Sequence, residues 1–298
     1  MLNSTFQPAC KGGDLCRVSR SASAIHSALV MVEAAVHLAL LPLNKGAIVF
    51  SEHISPQAQR EKFMKQTANK HNTKQRPRSM SKAKLKAKGI FFDLDGTIVD
   101  SRDAYIAAAK IAFKTIGQKP PKAKTALEIP RRLEQNQPIN DLVKAADIHK
   151  FLDVYLRTYY AISAEKTKPI PNIATTLETL SKKAKLALIT MRRVPKKAIT
   201  AELEHFSIAK HFTHIVTALD THKPKPSPEA LIKTVKALGI QMCDCIIVGD
   251  SINDIKAGKT AGAKTVAVLT GLYTRQELAN EKPDLILENA TKLPNHIA

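Results

Sequence analysis

The 298-residue sequence contains no tryptophan, and aromatic residues make up only 5% of it. It has only four cysteines, at positions 10, 16, 243 and 245. Cys243 and Cys245 are too close in sequence for an ordinary disulfide or a two-ligand zinc knuckle, so we interpret them as small residues at the start of a strand. Since no disulfide framework is indicated, we expect the protein to work in the reducing cytoplasm.

Uninterrupted hydrophobic runs of membrane-spanning length are also lacking. The apolar segment 24–43 is interrupted by His26, Glu33 and His37, whereas a membrane span needs about 20 apolar residues with few charges. Basic residues precede this segment, but no clear signal-peptide cleavage site follows them. We therefore expect no membrane insertion, and interpret the segment as an isolated amphipathic helix or as irregular chain.

Acidic residues are scarce at the front of the chain. The formal net charge is +20, and residues 1–88 hold 15 Lys/Arg against 4 Asp/Glu. Segment 57–88 has 11 basic residues, one acid and almost no large apolar residues, so it cannot bury enough surface to offset the entropy of ordering. We predict that 1–88 is a poorly ordered basic extension. A nucleic-acid-binding arm is the less favoured alternative, and translation from Met64 or Met80 is another.

From residue 89 onward, short β-branched runs alternate with helical patterns, which predicts an α/β fold with a parallel sheet. The runs are nearly continuous in apolar residues, as strands covered on both faces should be. The predicted strands are 89–94, 186–190, 214–218, 245–249, 265–269 and 285–288. Helices are predicted at 172–185, at 227–239 with Ser227 as cap and Gly239 as stop, and at 252–262.

Residues 103–168 break this alternation, because they contain no convincing strand. Helices are predicted near 103–116, 139–149 and 151–164, with a loop bearing proline and arginine between the first two. We therefore predict a small all-helical cap inserted after the first strand. The core domain would then be formed by 89–102 and 169–298.

Polar residues follow several of the predicted strands. The first strand runs into Asp93 and Asp95 in FFDLDGTIVDS, the second ends in Thr190, and the fourth is followed by Asp250 and Asp254. Because ligands bind beyond the carboxyl ends of parallel strands, we expect these groups to converge. Carboxylates gathered in this way suit a hard cation such as Mg²⁺. A nearby threonine and a lysine, either Lys223 or Lys225, suit a phosphate.

The four strings DLDGT, LALIT, KPSPEAL and IIVGDSINDIKAGKTAGAKTVAV resemble, in this order, the haloacid dehalogenase superfamily. The resemblance covers roughly residues 89–290 and is to the branch similar to phosphoglycolate phosphatases. It implies a Rossmann-like core. It also implies that Asp93 is the nucleophile, that Asp95 is the general acid and then the base, and that Mg²⁺ is held by Asp93, Asp95 and Asp250. Asp254 would support the metal shell or orient the lysine.

The resemblance also implies that Thr190 and a lysine bind the phosphate. Lys225 fits the family's lysine-proline motif and the helix after it, while Lys223 offers a shifted match; we favour Lys225. Met191-Arg192-Arg193 departs from the usual pattern. These arginines are either solvated loop charges, which we favour, or contacts for an anionic substrate, in which case Arg192 binds substrate. Arg131-Arg132 in the cap offers the same two alternatives, and we favour surface charges there too.

An acid at Asp95 favours phosphate esters, since departure of a halide needs no proton. We therefore expect a Mg²⁺-dependent phosphatase that hydrolyses a small phosphorylated metabolite, such as 2-phosphoglycolate, through an aspartyl-phosphate. The alternatives are a phosphosugar mutase of the same superfamily and a non-enzymatic nucleic-acid-associated protein that uses segment 57–88.

Overall fold

The computed structural model describes residues 84–298. The eight strands are β1 Gly89–Phe92, β2 Val99–Asp100, β3 Lys168–Pro169, β4 Lys185–Ile189, β5 His214–Val216, β6 Cys245–Gly249, β7 Lys264–Val268 and β8 Leu285–Leu287. The eight α-helices are α1 Arg102–Thr115, α2 Ala123–Glu134, α3 Ile148–Lys166, α4 Ile173–Ser181, α5 Lys196–His205, α6 Glu229–Leu238, α7 Ile252–Ala261 and α8 Arg275–Asn280.

Six strands form one parallel sheet in the order β5-β4-β1-β6-β7-β8. Strand β1 lies at the centre, where Ile90 pairs with Leu186 of β4 and with Ile246 of β6. The α/β parallel sheet is therefore confirmed, and all six strands lie where the sequence places them. Since β1 ends at Phe92, the acids Asp93 and Asp95 begin directly beyond the sheet.

Apolar residues bury both faces of this sheet, as the continuous apolar strands require. Ile90 and Phe92 pack into one cluster with Leu177 of α4, whereas Phe91 faces the other side with Leu231 of α6. The ordered contacts of the core domain begin before residue 89, because Leu85 forms a parallel β-bridge with Ile297.

Helices α1, α2 and α3 form the cap, which has its own core. On α1, Ala104, Ala108 and Ala112 are fully buried against aromatic residues of α3 such as Phe151. Their spacing of four residues places these small side chains on one face, so that α1 and α3 approach closely. The short antiparallel pair β2–β3 connects the cap to the core where the chain leaves and returns.

The prediction for the middle of the cap was wrong in two places. Of residues 139–149, the part before α3 forms turns and the single 3₁₀ turn Ala145–Asp147, and α2 lies where a loop was expected. Helix α2 contains Pro130, which favoured a loop because proline disrupts a helix interior. Burial of Ala126 and Ile129 on one face of α2 outweighs this local preference.

Helix α6 begins one residue later than expected. Pro228, not Ser227, is the N-cap residue, and the Ser227 hydroxyl accepts the Glu229 N–H at 3.3 Å. Gly239 ends the helix in a left-handed conformation, as expected.

Within residues 84–298, no helix combines the length and apolar character needed to cross a membrane. The predictions for the apolar run 24–43, for segment 57–83, for Cys10 and Cys16, and for the start sites Met64 and Met80 lie outside the described residues.

Candidate active site

Three neighbouring strands bring polar side chains to one edge of the sheet. Asp93 follows β1, Thr190 follows β4, and Asp250 follows β6. The backbone N–H of Asp93 donates to Val248 O at 2.9 Å, so the parallel register continues into the site and fixes this residue. The convergence expected from the sequence is therefore present in the fold.

The turn after β1 is shaped around Asp250. Gly96 has φ +79°, and a Cβ there would lie 2.5 Å from Asp250 Oδ2. Both the left-handed conformation and the contact require glycine. The hydroxyl of Thr97 then donates to Asp250 Oδ1 at 3.0 Å. The DGT segment thus positions the carboxylate of a distant strand.

Asp93, Asp250 and Asp254 form a compact carboxylate cluster. Each offers one oxygen, and these oxygens lie within 4.8 Å of one another. Burial and the charges of neighbouring carboxylates raise the pKa of Asp250 well above its ordinary value. Burial raises the pKa of Asp93 to about 8 against the pull of Lys225. Clustered carboxylate oxygens are the ligands that Mg²⁺ prefers, so the donor set fits this cation.

Gly271 leaves room for the same cluster, since a Cβ there would lie 1.6 Å from Asp250 Oδ2. Because Gly271 has no side chain, the loop after β7 packs directly against Asp250 without displacing its carboxylate.

Lys225, not Lys223, reaches the cluster. Its ammonium lies 2.5 Å from Asp93 Oδ1 and 2.5 Å from Asp254 Oδ1, and it donates to Ile189 O at 3.2 Å. Burial alone would lower the pKa of Lys225, but the charges of Asp254 and Asp93 raise it above its ordinary value. Lys225 is therefore a fixed cation at the sheet edge, whereas Lys223 is exposed.

Asp254 belongs to the first turn of α7. Its Oδ2 accepts the hydroxyl of Ser251 at 2.7 Å and the backbone N–H of Ser251 at 3.2 Å, while Oδ1 faces Lys225. These contacts occupy both oxygens: Asp254 completes a capping box with the N-cap residue Ser251 and forms an ion pair with Lys225.

Asp95 is held by Arg192, the arginine that follows β4. Arg192 Nε donates to Asp95 Oδ2 at 2.8 Å and Nη2 donates to Oδ1 at 2.6 Å. The Arg192 side chain is only 3% exposed, so its interpretation as a solvated loop charge was wrong. Burial alone would raise the pKa of Asp95, but the charge and hydrogen bonds of Arg192 outweigh it and lower the pKa.

Glu202 of α5 holds the other side of Arg192. Its Oε2 accepts Arg192 Nη1 at 2.5 Å, and its Oε1 accepts the hydroxyl of Thr167 at 3.0 Å. Arg192 therefore lies between two carboxylates. Glu202 was not predicted from the sequence, because its place in an otherwise ordinary helix gives no signal of this role.

Thr190 is buried at the end of β4, where its hydroxyl accepts the backbone N–H of Arg192 at 3.2 Å. It thus lies at the end of the strand next to β1.

The cap adds tyrosines to the site. Tyr159 donates its hydroxyl to Asp95 Oδ1 at 2.8 Å and stacks on Tyr105 with ring centroids 4.7 Å apart. Together with Tyr155 and Tyr160 they line a cavity of about 220 Å³ that also contains Asp93, Arg192 and Asp250. None of the four tyrosines was predicted from the sequence, although three tyrosines within 155–160 of an aromatic-poor chain were a usable signal.

Glu134, the last residue of α2, lines the same cavity and was also missed. Its Oε2 accepts the hydroxyl of Tyr273 at 3.1 Å, and its backbone carbonyl accepts Asn253 Nδ2 at 2.8 Å. Burial, with the nearby charge of Asp254, raises the pKa of Glu134 to about 7.

The cap arginines form ion pairs instead of facing the cavity. Arg131 pairs with Glu128 and Glu277, and Arg132 pairs with Asp141. Neither arginine is among the residues that line the cavity.

Comparisons with known proteins agree with this geometry. The family model of haloacid dehalogenase-like hydrolases matches residues 90–268. A phosphoglycolate phosphatase of Pseudomonas syringae pv. tomato is 31% identical over 213 residues, which cover 68% of this chain and 77% of that protein. The candidate pyrophosphatase PpaX of Clostridium perfringens is 29% identical over 210 residues, or 69% of this chain and 95% of that protein.

Among solved structures, a haloacid dehalogenase-like family hydrolase from Streptococcus pneumoniae superposes with a TM-score of 0.60 at 24% identity. The match covers 70% of this chain and 96% of that protein, and it shows a shared fold. The chain therefore belongs to the haloacid dehalogenase-like hydrolase family and is a phosphatase.

Proposed function

We propose that the protein hydrolyses a small phosphomonoester in a Mg²⁺-dependent reaction that passes through an aspartyl-phosphate on Asp93. The observation that carries this proposal is the single cluster in which Asp93, Lys225 and Asp250 meet at the sheet edge. A carboxylate that attacks an anionic phosphoryl group must overcome charge repulsion, and fixed positive charge lowers that barrier.

The side chains of Asp93 and Asp250 and the backbone carbonyl of Asp95 are the groups that we assign to the cation. When bound, Mg²⁺ supplies positive charge that neutralises the phosphoryl oxygens as they approach Asp93. Beside such a charge, Asp93 would be held in its ionised, nucleophilic form.

The remaining residues divide the work around the phosphoryl group. Lys225 offsets its charge, and Thr190 donates a hydrogen bond to one of its oxygens. Asp95 donates a proton to the departing oxygen and then accepts one from the water that hydrolyses the aspartyl-phosphate. Because Arg192 lowers the pKa of Asp95, proton donation requires that the ion pair between them loosens.

The volume of the cavity limits the size of the leaving group. A volume of about 220 Å³ suits a leaving group of a few heavy atoms. Arg192 is the buried cation on the cavity lining that an anionic leaving group would meet. One relative is named for phosphoglycolate, whose leaving group, glycolate, is anionic. Another is named for pyrophosphate, whose leaving group is a second phosphate.

Phosphate release from the full-length chain tests the proposal. We expect Mg²⁺-dependent release from 2-phosphoglycolate, pyrophosphate or a generic phosphoester, with loss of activity in EDTA. Glucose 1-phosphate separates the mutase alternative, because a mutase yields the isomer without free phosphate. Equal release with and without EDTA would contradict the proposal.

A further inference from the structure

The loop that carries Lys225 lies between the 3₁₀ turn Ala218–Asp220 and helix α6. It reads THKPKPSP over residues 221–228, so three of its eight residues are prolines. Proline has no backbone N–H to donate, and a segment of this composition cannot be held by a regular ladder of backbone hydrogen bonds. The position of Lys225 therefore depends on contacts that side chains make with the loop.

Glu229, the first residue of α6, supplies such contacts. Its Oε1 accepts the backbone N–H of His222 at 3.1 Å, and its Oε2 accepts the backbone N–H of Lys223 at 3.0 Å. Hydrogen bonds to an ionised acceptor are stronger than those between neutral groups. One carboxylate thereby fixes the loop at the two positions that precede Pro224-Lys225. Its ion pair with Lys233 on the next turn is solvent-exposed and adds little.

The other side of the loop is joined to the same turn of α6. The Ser227 hydroxyl accepts the backbone N–H of Glu229 at 3.3 Å. The Ser227 N–H donates to Pro224 O at 3.0 Å and closes a turn that contains Lys225. The backbone of Lys225 is therefore held from both sides by contacts that lead to the start of α6.

This anchoring matters because lysine has a flexible four-carbon side chain, which does not fix the position of the ammonium by itself. The Lys225 ammonium lies 2.5 Å from Asp93 Oδ1 and 3.2 Å from Ile189 O. A phosphoryl group at Asp93 competes with these acceptors for the ammonium. The bonds between Glu229 and the loop involve no group of the site, so they do not take part in that competition.

We propose that Glu229 is a positioning residue for the reaction, which holds the 221–228 loop so that the Lys225 ammonium meets the phosphoryl group. Glu229 is not among the residues that line the cavity, so it acts through Lys225 and not on the substrate. The inference rests on the proposed function, in which Lys225 offsets the charge of the phosphoryl group.

A double-mutant cycle separates this role from a general contribution to folding. Glu229→Gln replaces one acceptor oxygen by an NH₂ group, and Glu229→Ala removes both acceptors. The assay uses full-length protein, Mg²⁺ and whichever of 2-phosphoglycolate, pyrophosphate and p-nitrophenyl phosphate the wild-type protein hydrolyses fastest. We expect kcat/KM to fall about fivefold in Glu229→Gln and further in Glu229→Ala, because the ammonium is misplaced.

The same substitutions are then made in Lys225→Met. There we expect Glu229→Gln to change kcat/KM by less than about twofold, because no ammonium is left to position. Glu204→Gln is the matched control, since Glu204 is exposed on core helix α5, and it should keep the kcat/KM of each background. All assays are run below the melting temperature of the least stable variant, as determined by thermal unfolding.

Wild-type kcat/KM in both Glu229 variants would overturn the inference and leave the proposed function standing. The same fold loss in the wild-type and Lys225→Met backgrounds would also overturn it, because Glu229 would then act independently of Lys225. Absence of Mg²⁺-dependent hydrolysis in the wild-type protein would overturn the proposed function and the inference together.

Discussion

The ammonium of Lys225 lies 2.5 Å from the carboxylate of Asp93, although the two positions are 132 apart in the sequence. The same ammonium contacts Asp254 Oδ1 and Ile189 O, so each of its three N–H groups has an acceptor. The lysine is thereby immobilised against the candidate nucleophile before any substrate binds.

Replacement of Lys225 by methionine tests this relationship. We expect phosphatase activity to fall at least about a hundredfold, because a fixed positive charge on the phosphoryl group is lost. We also expect stability to fall by about 3 to 5 kcal/mol, because Asp93 and Asp254 lose their buried partner. Turnover and thermal unfolding are measured together.

Lys223→Met is the control for that variant, since Lys223 is exposed and differs from Lys225 by only two positions. Its activity should match wild type and its stability should change by less than about 0.5 kcal/mol. Equal losses in the two variants would show that Lys225 has no special role.

The raised pKa values of the buried acids predict how stability depends on pH. The pKa of Asp93 rises from 3.8 to about 8 on folding, so between about pH 4 and pH 8 the folded protein retains a proton that the unfolded chain has lost. In EDTA, the free energy of unfolding should therefore fall as pH rises through this window. Mg²⁺ favours the ionised acids, so its stabilising effect should grow with pH.

Melting temperatures at pH 5, 6, 7 and 8, each with EDTA or with Mg²⁺, measure this effect. Differences between the two series cancel contributions from residues far from the cluster. A difference that stays constant across the series would contradict the assignment of the cation to these acids.

Arg192→Gln tests whether Arg192 sets the pKa of Asp95. Asp95 and Glu202 would both lose their buried partner, at a cost of about 3 to 5 kcal/mol in stability. The pKa of Asp95 should rise, since Arg192 is what lowers it. The limb of the pH–activity profile that reports Asp95 should therefore move to higher pH.

Arg193→Gln is the neighbouring control, because Arg193 forms no ion pair among residues 84–298. Its pH–activity profile should keep the wild-type position. An Arg192→Gln profile that coincides with wild type would disprove a link between Arg192 and the proton-transfer group.

Removal of residues 1–83 should leave phosphatase activity within about twofold of wild type, because all residues of the candidate site lie after position 92. Binding of nucleic acid by both forms, measured at two salt concentrations, tests the alternative use of the basic segment. Loss of hydrolysis after the deletion would show that the front of the chain contributes to the site.

The part of the site on the sheet was predictable, and the part on the cap was not. Asp93, Thr190 and Asp250 each follow a strand, and the carboxyl ends of parallel strands share one edge. Lys225 lies in an irregular loop, so the sequence alone could not decide between Lys223 and Lys225 as the lysine of the site.

Glu134, Tyr159 and Glu202 depend on how separate elements pack, which local patterns do not encode. Pro130 concealed the helix that carries Glu134. Arg192 was misread for a related reason, since only packing against Asp95 and Glu202 reveals it as buried.

The most direct test is to look for the covalent phosphoryl group on Asp93. Protein quenched in acid during turnover with Mg²⁺ and a radiolabelled phosphoester, then digested, should carry label on the peptide that contains Asp93. Asp93→Asn should carry no label and should lose at least about a thousandfold in turnover. Full turnover in Asp93→Asn, or label on another residue, would contradict the account.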